Sequence, residues 1–488
     1  YYMFVTRSWG YWHSKDLLNW DFITPEKWYF EGCNAPTAHN YKDSVLYVCG
    51  NPSGAMSILY TDNPKRGDWK AVPSVLHDLQ DPALFIDDDE RAYMYWGSSN
   101  RWPIRGKELD MKNKFLPIAK KPDSLLFLRP DIHGWERFGE NHTSDIKPFI
   151  EGAWMTKHNG KYYLQYAVPG TQFNVYGDGV YVGKSPLGPF QYAAHNPFCY
   201  KPGGFATGAG HGSTVCGPGG IYWHFGTIHL SINYKFERRL CMFPTFFDED
   251  GAMYSDTYFG DYPHYSPDQV SRQTTSGGFR GWMLLSYGKP VKASSQLESY
   301  PVENVTDENL KTFWVAGKND DKQWVEIDLE EVSDVYALQL NFFDYEETGF
   351  WGRMPNLRQR YLVEASVDGA RWRVLVDYRN SFRDAPHNYI ELDQPIEARY
   401  IRYRHHYVPG KNLAMGDIRV FGLGRGKKPA TVKGFTVVRE ADERNARISW
   451  KSVKGAQGYN VLWGVAPDKL YSSWMVYGDN SLDLRALT

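Results

Sequence analysis

A short aromatic-aliphatic segment recurs five times in the first 265 residues, and no other feature constrains the fold as strongly. It reads Tyr1-Tyr2-Met3-Phe4, Leu46-Tyr47-Val48, Tyr93-Met94-Tyr95-Trp96, Tyr162-Tyr163-Leu164 and Ile221-Tyr222-Trp223. Asn159-Gly160 precedes the fourth copy and Pro218-Gly219-Gly220 the fifth. Such residues admit the positive φ that tight hairpins need. A second element follows some copies: Ser14-Lys15-Asp16-Leu17-Leu18-Asn19-Trp20 resembles Thr61-Asp62-Asn63-Pro64 with Trp69, and Lys184-Ser185-Pro186-Leu187-Gly188-Pro189-Phe190. Repetition at a period of roughly 40 to 70 residues points to radially or linearly repeated units. Five units of short strands, with almost no helix-period pattern, predict a five-bladed β-propeller. The competing architecture is an irregular β-sandwich whose hairpins happen to look alike.

The 488 residues allow two to four domains. A net charge of −2 gives no electrostatic reason to expect nucleic acid or an anionic membrane as a partner. No apolar run reaches the roughly 18 residues of a membrane span. Aromatics make up 16% of the chain, which suits stacking on sugar rings as well as ordinary strand packing. Cys33, Cys49, Cys199, Cys216 and Cys241 form neither a CxxC pair nor a zinc spacing, and no disulfide framework is expected of them. The abrupt ends at Tyr1 and Thr488 read as those of a fragment.

Three stretches carry candidate chemistry. In Gln80-Asp81-Pro82-Ala83-Leu84-Phe85-Ile86, the proline predicts extended geometry for Asp81 at a strand start. Asp87 to Asp89 at the far end read as a solvated turn. In Glu151-Gly152-Ala153-Trp154-Met155-Thr156-Lys157, Glu151 opens a strand beside a glycine that lets another group approach. Gly208-Ala209-Gly210-His211-Gly212-Ser213 is a Gly-rich strand start containing His211. Glycoside hydrolysis needs two carboxyl groups flanking a sugar, one protonated and one ionised. Asp81 and Glu151, on different repeats facing one axis, could contribute to such a site. An Asp before Pro also serves as a turn cap and a strand-start Glu as a surface charge, so spacing alone leaves these readings open.

Taken in order, these stretches resemble glycoside hydrolase family 43 over about residues 1 to 265. The resemblance implies that Asp81 is the middle aspartate that raises the acid's pKa and orients it. It implies that Glu151 is the general acid, and that His211 faces the axis and coordinates calcium directly or through water. Arg238, in Glu237-Arg238-Arg239-Leu240, resembles the arginine that pairs with the middle aspartate and keeps it ionised, with Arg239 as the adjacent alternative. The family's general base, an aspartate on the first blade, is expected upstream of Tyr1; Asp16 and Asp21 are poor substitutes. Where the family often has Trp before Ala-Pro, this chain has Asn34-Ala35-Pro36, so its sugar platform differs. Trp9, Trp12, Trp154 and Phe173 are candidate platforms. The implied reaction is inverting hydrolysis releasing arabinofuranose or xylose from plant polysaccharide. The alternatives are a glycan-binding propeller without a base, and a fructan-acting enzyme whose Arg-Asp-Pro and Glu-Cys signatures are not matched.

Beyond residue 286 the pattern changes. Ala293-Ser294-Ser295, Thr312-Phe313-Trp314 and Gln323-Trp324-Val325-Glu326-Ile327-Asp328-Leu329 resemble a discoidin, or factor 5/8 type C, β-sandwich jelly roll over 286–424. That family's terminal cysteine pair is missing, and Phe350-Trp351-Gly352 is either a ligand-binding tip or a plug against the propeller. After a Gly/Lys-rich linker, residues 429–488 resemble part of a fibronectin type III sandwich, with Ile448-Ser449-Trp450 and Gly458 to Trp463 as strands. Such modules commonly act as spacers. The expected fold class is all-β: a propeller catalytic domain over 1–270, then the two sandwiches. The accessory modules suggest a periplasmic or extracellular location.

Overall fold

Asn159 and Gly160 take φ of 47° and 73°, and the chain reverses there from the strand Glu151–His158 into Lys161–Val168. The same alternation of aromatic strand and tight turn builds the first 255 residues into five antiparallel sheets of three to five strands in chain order, with a small two-stranded pair of Ala55–Met56 and Leu76–His77 besides. The computed structural model describes residues 1–27, 33–50, 54–229, 238–261, 281–343, 345–346 and 358–487. Phe350-Trp351-Gly352 lies outside the described residues.

The first sheet runs from Tyr2–Met3 to Trp20–Ile23 and the second from Asn34–Tyr41 to Lys70–Ala71. The third runs from Ala83–Ile86 to Asp123–Leu126, the fourth from Glu151–His158 to Phe190–Tyr192, and the fifth from Gly208–Cys216 to Met253–Ser255. Contacts between neighbours establish a cycle. Phe4 meets Tyr47 at 5.0 Å and Tyr11 meets Trp69 at 5.7 Å between the first two sheets. His39 meets Phe85 at 6.1 Å, and Phe85 meets Tyr162 at 6.3 Å, carrying the ring through the third and fourth. Gln165 Nε2 donates to Thr214 Oγ1 at 3.0 Å between the fourth and fifth. Trp20 then meets Phe225 at 6.2 Å, joining the first sheet to the fifth. The five sheets close into a ring, the arrangement a propeller requires.

Two expectations are corrected here. Asp87 is buried rather than solvated: its carboxylate accepts from Tyr162 Oη at 2.5 Å and pairs with Lys157, tying the third sheet to the fourth. Cys33 and Cys49 form a disulfide, with Cα atoms 5.5 Å apart. Their spacing fits no metal motif, and it is the hairpin of the second sheet that brings them together.

Residues 283–423 form one eight-stranded system, in which the long strand Trp324–Phe342 pairs with His387–Tyr407 and Ala414–Leu423. Trp314, Val325, Ile327, Tyr361 and Ile401 are buried in its core. It is bolted to the ring by Phe205 and Ala206, which pack with Leu310, Phe313 and Phe343. A buried charge cluster lies beside them. Arg419 Nη2 donates to Glu308 at 2.5 Å and to the Asp261 carbonyl at 2.6 Å, and Lys201 pairs with Asp261 at 2.7 Å.

The last segment forms a three-stranded sheet, with Ala446–Ser449 between Thr436–Arg439 and Ser481–Leu484, and a two-stranded one of Gly458–Trp463 with Ser472–Tyr477. It is no loosely tethered spacer. Ile448, Trp450 and Leu484 belong to the same buried cluster as Trp135 and Tyr166 of the ring, Tyr471 stacks on Tyr254 at 3.9 Å, and Arg137 pairs with Asp442 at 2.8 Å.

Candidate active site

The three residues Gly97, Ser98 and Ser99 organise the site. Gly97 N–H donates to the Gln80 carbonyl at 2.9 Å, fixing the residue before Asp81. Ser99 and Ile150 exchange backbone hydrogen bonds of 3.1 and 3.0 Å, fixing the residue before Glu151. Ser98, between these anchors, donates to Glu151 Oε2 at 2.9 Å and also lies in hydrogen-bonding contact with Asp81. Two acids 70 positions apart in sequence are thus held by one short segment of the third sheet.

Asp81 does not adopt the extended geometry expected before a proline. Its φ is +49°, and the strand begins only at Ala83. Left-handed backbone is sterically costly there, and the Gly97 bond to Gln80 before it and the pairing of Ala83 with Tyr95 after it hold it. Glu151 does open its strand as expected, and its second oxygen accepts from Tyr176 Oη at 2.7 Å. Burial raises the Tyr176 hydroxyl far above its ordinary pKa, keeping it a donor.

His211 completes the cluster: Asp81, Glu151 and His211 each place a nitrogen or carboxylate oxygen within 4.8 Å of the others. His211 also sits in the left-handed region, at φ +54°. Asp178, fully buried, accepts from the N–H groups of His211 at 2.7 Å and Gly212 at 2.8 Å, and its other neighbour is His224 at 3.2 Å. Gly152 permits the approach from the other side. A Cβ on it would lie 3.1 Å from both Cα and Cγ of His211, so the close contact expected at this glycine is with the histidine.

Burial, with the Glu151 charge adding to it, pushes the Asp81 carboxyl up to about 6, against the pull of His211, Ser98 and Arg238. The expectation that the arginine simply keeps this aspartate ionised is therefore modified: desolvation outweighs the cations. Arg238 acts on Asp81 through its charge, while its guanidinium donates to Thr171 Oγ1. Arg239 lies on the other side of the strand, where its charge adds to the burial that lowers the pKa of His387 in the following module.

The aromatic candidates are engaged in packing. Trp12 lies edge-on to its cross-strand partner Phe22 at 4.9 Å. Trp154 Nε1 donates to the Thr214 carbonyl at 3.0 Å, bridging the fourth and fifth sheets. Phe173 packs edge-on against Phe138 at 4.8 Å, in the loop that carries Thr171 and Tyr176. Asp178, Ser98, Tyr176 and Thr171 went unrecognised in the sequence. The only local signal for Asp178 is a polar residue inside Gly177–Gly183, a strand otherwise of small and apolar residues and one tyrosine.

The side-chain donors alone do not complete a calcium shell; an ion held at His211 would take most of its ligands from water. Calcium takes six to eight oxygen ligands, whereas this cluster offers one imidazole and two carboxylates, and both Glu151 oxygens already accept from hydroxyls.

Comparison with known proteins places this geometry in context. The profile of "Glycosyl hydrolases family 43" matches residues 1–253, and that of "F5/8 type C domain" matches residues 290–415. The chain belongs to glycosyl hydrolase family 43 and carries a discoidin-like sandwich behind that domain. It is similar to a β-xylosidase of Xylanibacter ruminicola, 33% identical over 23% of this chain and 39% of that protein. It is also similar to an arabinoxylan arabinofuranohydrolase of Bacillus subtilis (strain 168), 30% identical over 34% of each. The chain thus spans under half the length of these curated relatives. A solved structure titled "Glycoside hydrolase" matches at 18% identity and a TM-score of 0.43, over 84% of this chain and 90% of that one.

Proposed function

We propose that this chain is an inverting glycosidase that removes arabinofuranose or xylose from plant polysaccharide. The observation that carries the reading is the convergence of Asp81, Glu151 and His211 from three sheets within 4.8 Å. Glu151 donates a proton to the leaving-group oxygen, and Ser98 and Tyr176 stabilise the carboxylate left behind, while the aspartate base expected upstream of Tyr1 takes the proton of the water that attacks the opposite face. Asp81 is the charge partner of Glu151 and not its opposite number across the sugar. An inverting acid and base stand roughly 6.5–9.5 Å apart, and here one serine hydroxyl touches both side chains. Arg238 offsets the Asp81 charge, and Asp178 fixes the backbone of His211.

The two relatives named above, called a β-xylosidase and an arabinoxylan arabinofuranohydrolase, support a pentose as the sugar removed. A second reading is glycan binding without turnover. It differs in having no aspartate base: of the first sheet's acids, Asp16 is occupied as a turn acceptor for Leu18 and Asn19 and Asp21 is exposed on the strand Trp20–Ile23, so neither takes that role. Incubation with 4-nitrophenyl α-L-arabinofuranoside and β-D-xyloside, followed by NMR of the first-formed anomer, separates the readings. Release of the inverted sugar supports hydrolysis; binding without release supports the second.

We further assign residues 429–488 to a fibronectin type III-like half-sandwich, from the three-plus-two strand arrangement. The Cys33–Cys49 disulfide supports an exported, oxidising location.

A further inference from the structure

Alone among the described tryptophans, Trp102 is exposed, at 58%. Its position connects it to the site. It lies in the loop that follows Ser98 and Ser99, the residues that hold Glu151 and its neighbour Ile150. The Ser99 hydroxyl accepts from the N–H groups of Arg101 at 2.9 Å and Trp102 at 3.1 Å, so the loop is pinned to the segment that bears the acid. On the other side of Ile150, Phe149 is also exposed, at 37%, with its N–H held by the Pro169 carbonyl at 3.1 Å. Two exposed rings therefore adjoin, in sequence, the paired segments Ser98–Ser99 and Ile150–Glu151 that form the site.

The surroundings of Trp102 indicate what it binds. Arg105 stands 5.2 Å and Arg101 5.9 Å from the ring centroid, and among the described residues neither is in an ion pair. Guanidinium groups backing an indole fix the ring's orientation and offer hydrogen-bond donors beside it. The exposed part of an indole with guanidinium donors over its ring matches a pyranose, whose C–H face stacks and whose hydroxyls accept. An isolated exposed aromatic needs no explanation; one pinned by backbone hydrogen bonds to the segment that carries a reacting carboxylate does. Burying the ring in the third sheet would have removed apolar surface from water, yet the chain turns it out and instead buries the following Pro103 and Ile104.

We propose that Trp102, with Phe149, forms a subsite for the β-linked pyranose main chain of the polysaccharide, beyond the sugar that is cleaved. The proposal rests on the hydrolase reading for the identity of the polymer. It makes the preferred substrate a long chain bearing side groups and not a short glycoside.

The test compares Trp102→Ala, Trp102→Phe and the unchanged chain on soluble arabinoxylan and on 4-nitrophenyl α-L-arabinofuranoside. The expected result is a KM for arabinoxylan raised about tenfold in Trp102→Ala, largely restored in Trp102→Phe, with the aryl glycoside unaffected in all three. Affinity electrophoresis in arabinoxylan gels, with Glu151→Gln and Glu151→Gln/Trp102→Ala, reads binding without turnover, so the subsite can be judged even if no hydrolysis is found. Undiminished retardation of the double variant overturns the subsite. Equal losses on the polymer and the aryl glycoside overturn it too, because they place Trp102 at the cleaved sugar or in the fold.

Discussion

Asp81 and Glu151 arise on adjacent sheets, yet a single hydroxyl, that of Ser98, is in hydrogen-bonding contact with both carboxyls. Backbone hydrogen bonds from Gly97 and Ser99 to the residues just before each acid produce this contact. The spacing between the acids is thus set by main-chain geometry, which substitution of nearby side chains leaves in place.

Asp81 makes stability depend on pH in a defined direction. Its carboxyl is raised from an ordinary 3.8 to about 6 in the folded protein. The folded state therefore binds this proton more tightly than the unfolded state does, and stability falls as pH rises from about 4 through 6. The difference is worth roughly 3 kcal/mol at most. Asp81→Asn is expected to raise the Tm at pH 8 and to leave it nearly unchanged at pH 4, as read by calorimetry. The same variant should lower kcat on an aryl glycoside, because the charge beside Glu151 is lost. A Tm gain of equal size at both pH values would contradict the assignment.

Asp178 holds His211 through two backbone N–H groups, and an amide can replace only one of its acceptor oxygens. Asp178→Asn should cost about 1–3 kcal/mol of stability and lower kcat more than it raises KM, since the position of His211 beside Glu151 is what changes. Denaturant melts together with steady-state kinetics on an aryl glycoside test this. Unaltered kinetics in a destabilised variant would reduce Asp178 to a purely structural role.

Arg419, Glu308, Asp261 and Lys201 form a buried cluster across the boundary between the ring and the discoidin-like module. Removing one member leaves an uncompensated charge, at a cost of roughly 3–5 kcal/mol. Arg419→Ala is expected to split a single calorimetric transition into two as the modules uncouple. A single transition at the original Tm would show that the apolar contacts of Phe205 and Phe313 suffice.

The Cys33–Cys49 disulfide joins residues 16 positions apart. Closing a loop of that size stabilises by about 3 kcal/mol in the chain-entropy account. A reducing agent should lower the Tm of the unchanged chain and not that of Cys33→Ser/Cys49→Ser.

Legibility in the sequence followed the range of the interactions. The five aromatic strands, the Asn159-Gly160 hairpin, the strand opening at Glu151 and the Gly152 approach are local patterns, and all could be read directly. Asp81 could be singled out, but its backbone could not, because the hydrogen bonds on either side that hold it left-handed come from distant residues. Asp87 looked solvated because its partners, Lys157 and Tyr162, lie on the next sheet. Asp178, Ser98 and Tyr176 belong to no motif and are defined only by what they touch. Trp12 and Trp154 are half-buried: the residue type suggested sugar stacking, and the contacts to Phe22 and Thr214 that fix their rings could not be read from it.

The central claim is that Glu151 supplies the proton to the departing oxygen. The most direct measurement is kcat/KM of the unchanged chain and of Glu151→Gln on methyl α-L-arabinofuranoside, whose alkoxide must be protonated as it leaves, beside 4-nitrophenyl α-L-arabinofuranoside, whose phenolate leaves with little help. The account predicts a loss of roughly 10²–10⁴-fold on the first substrate, a much smaller loss on the second, and affinity for arabinoxylan retained. Near-normal turnover of the first substrate by Glu151→Gln would contradict it.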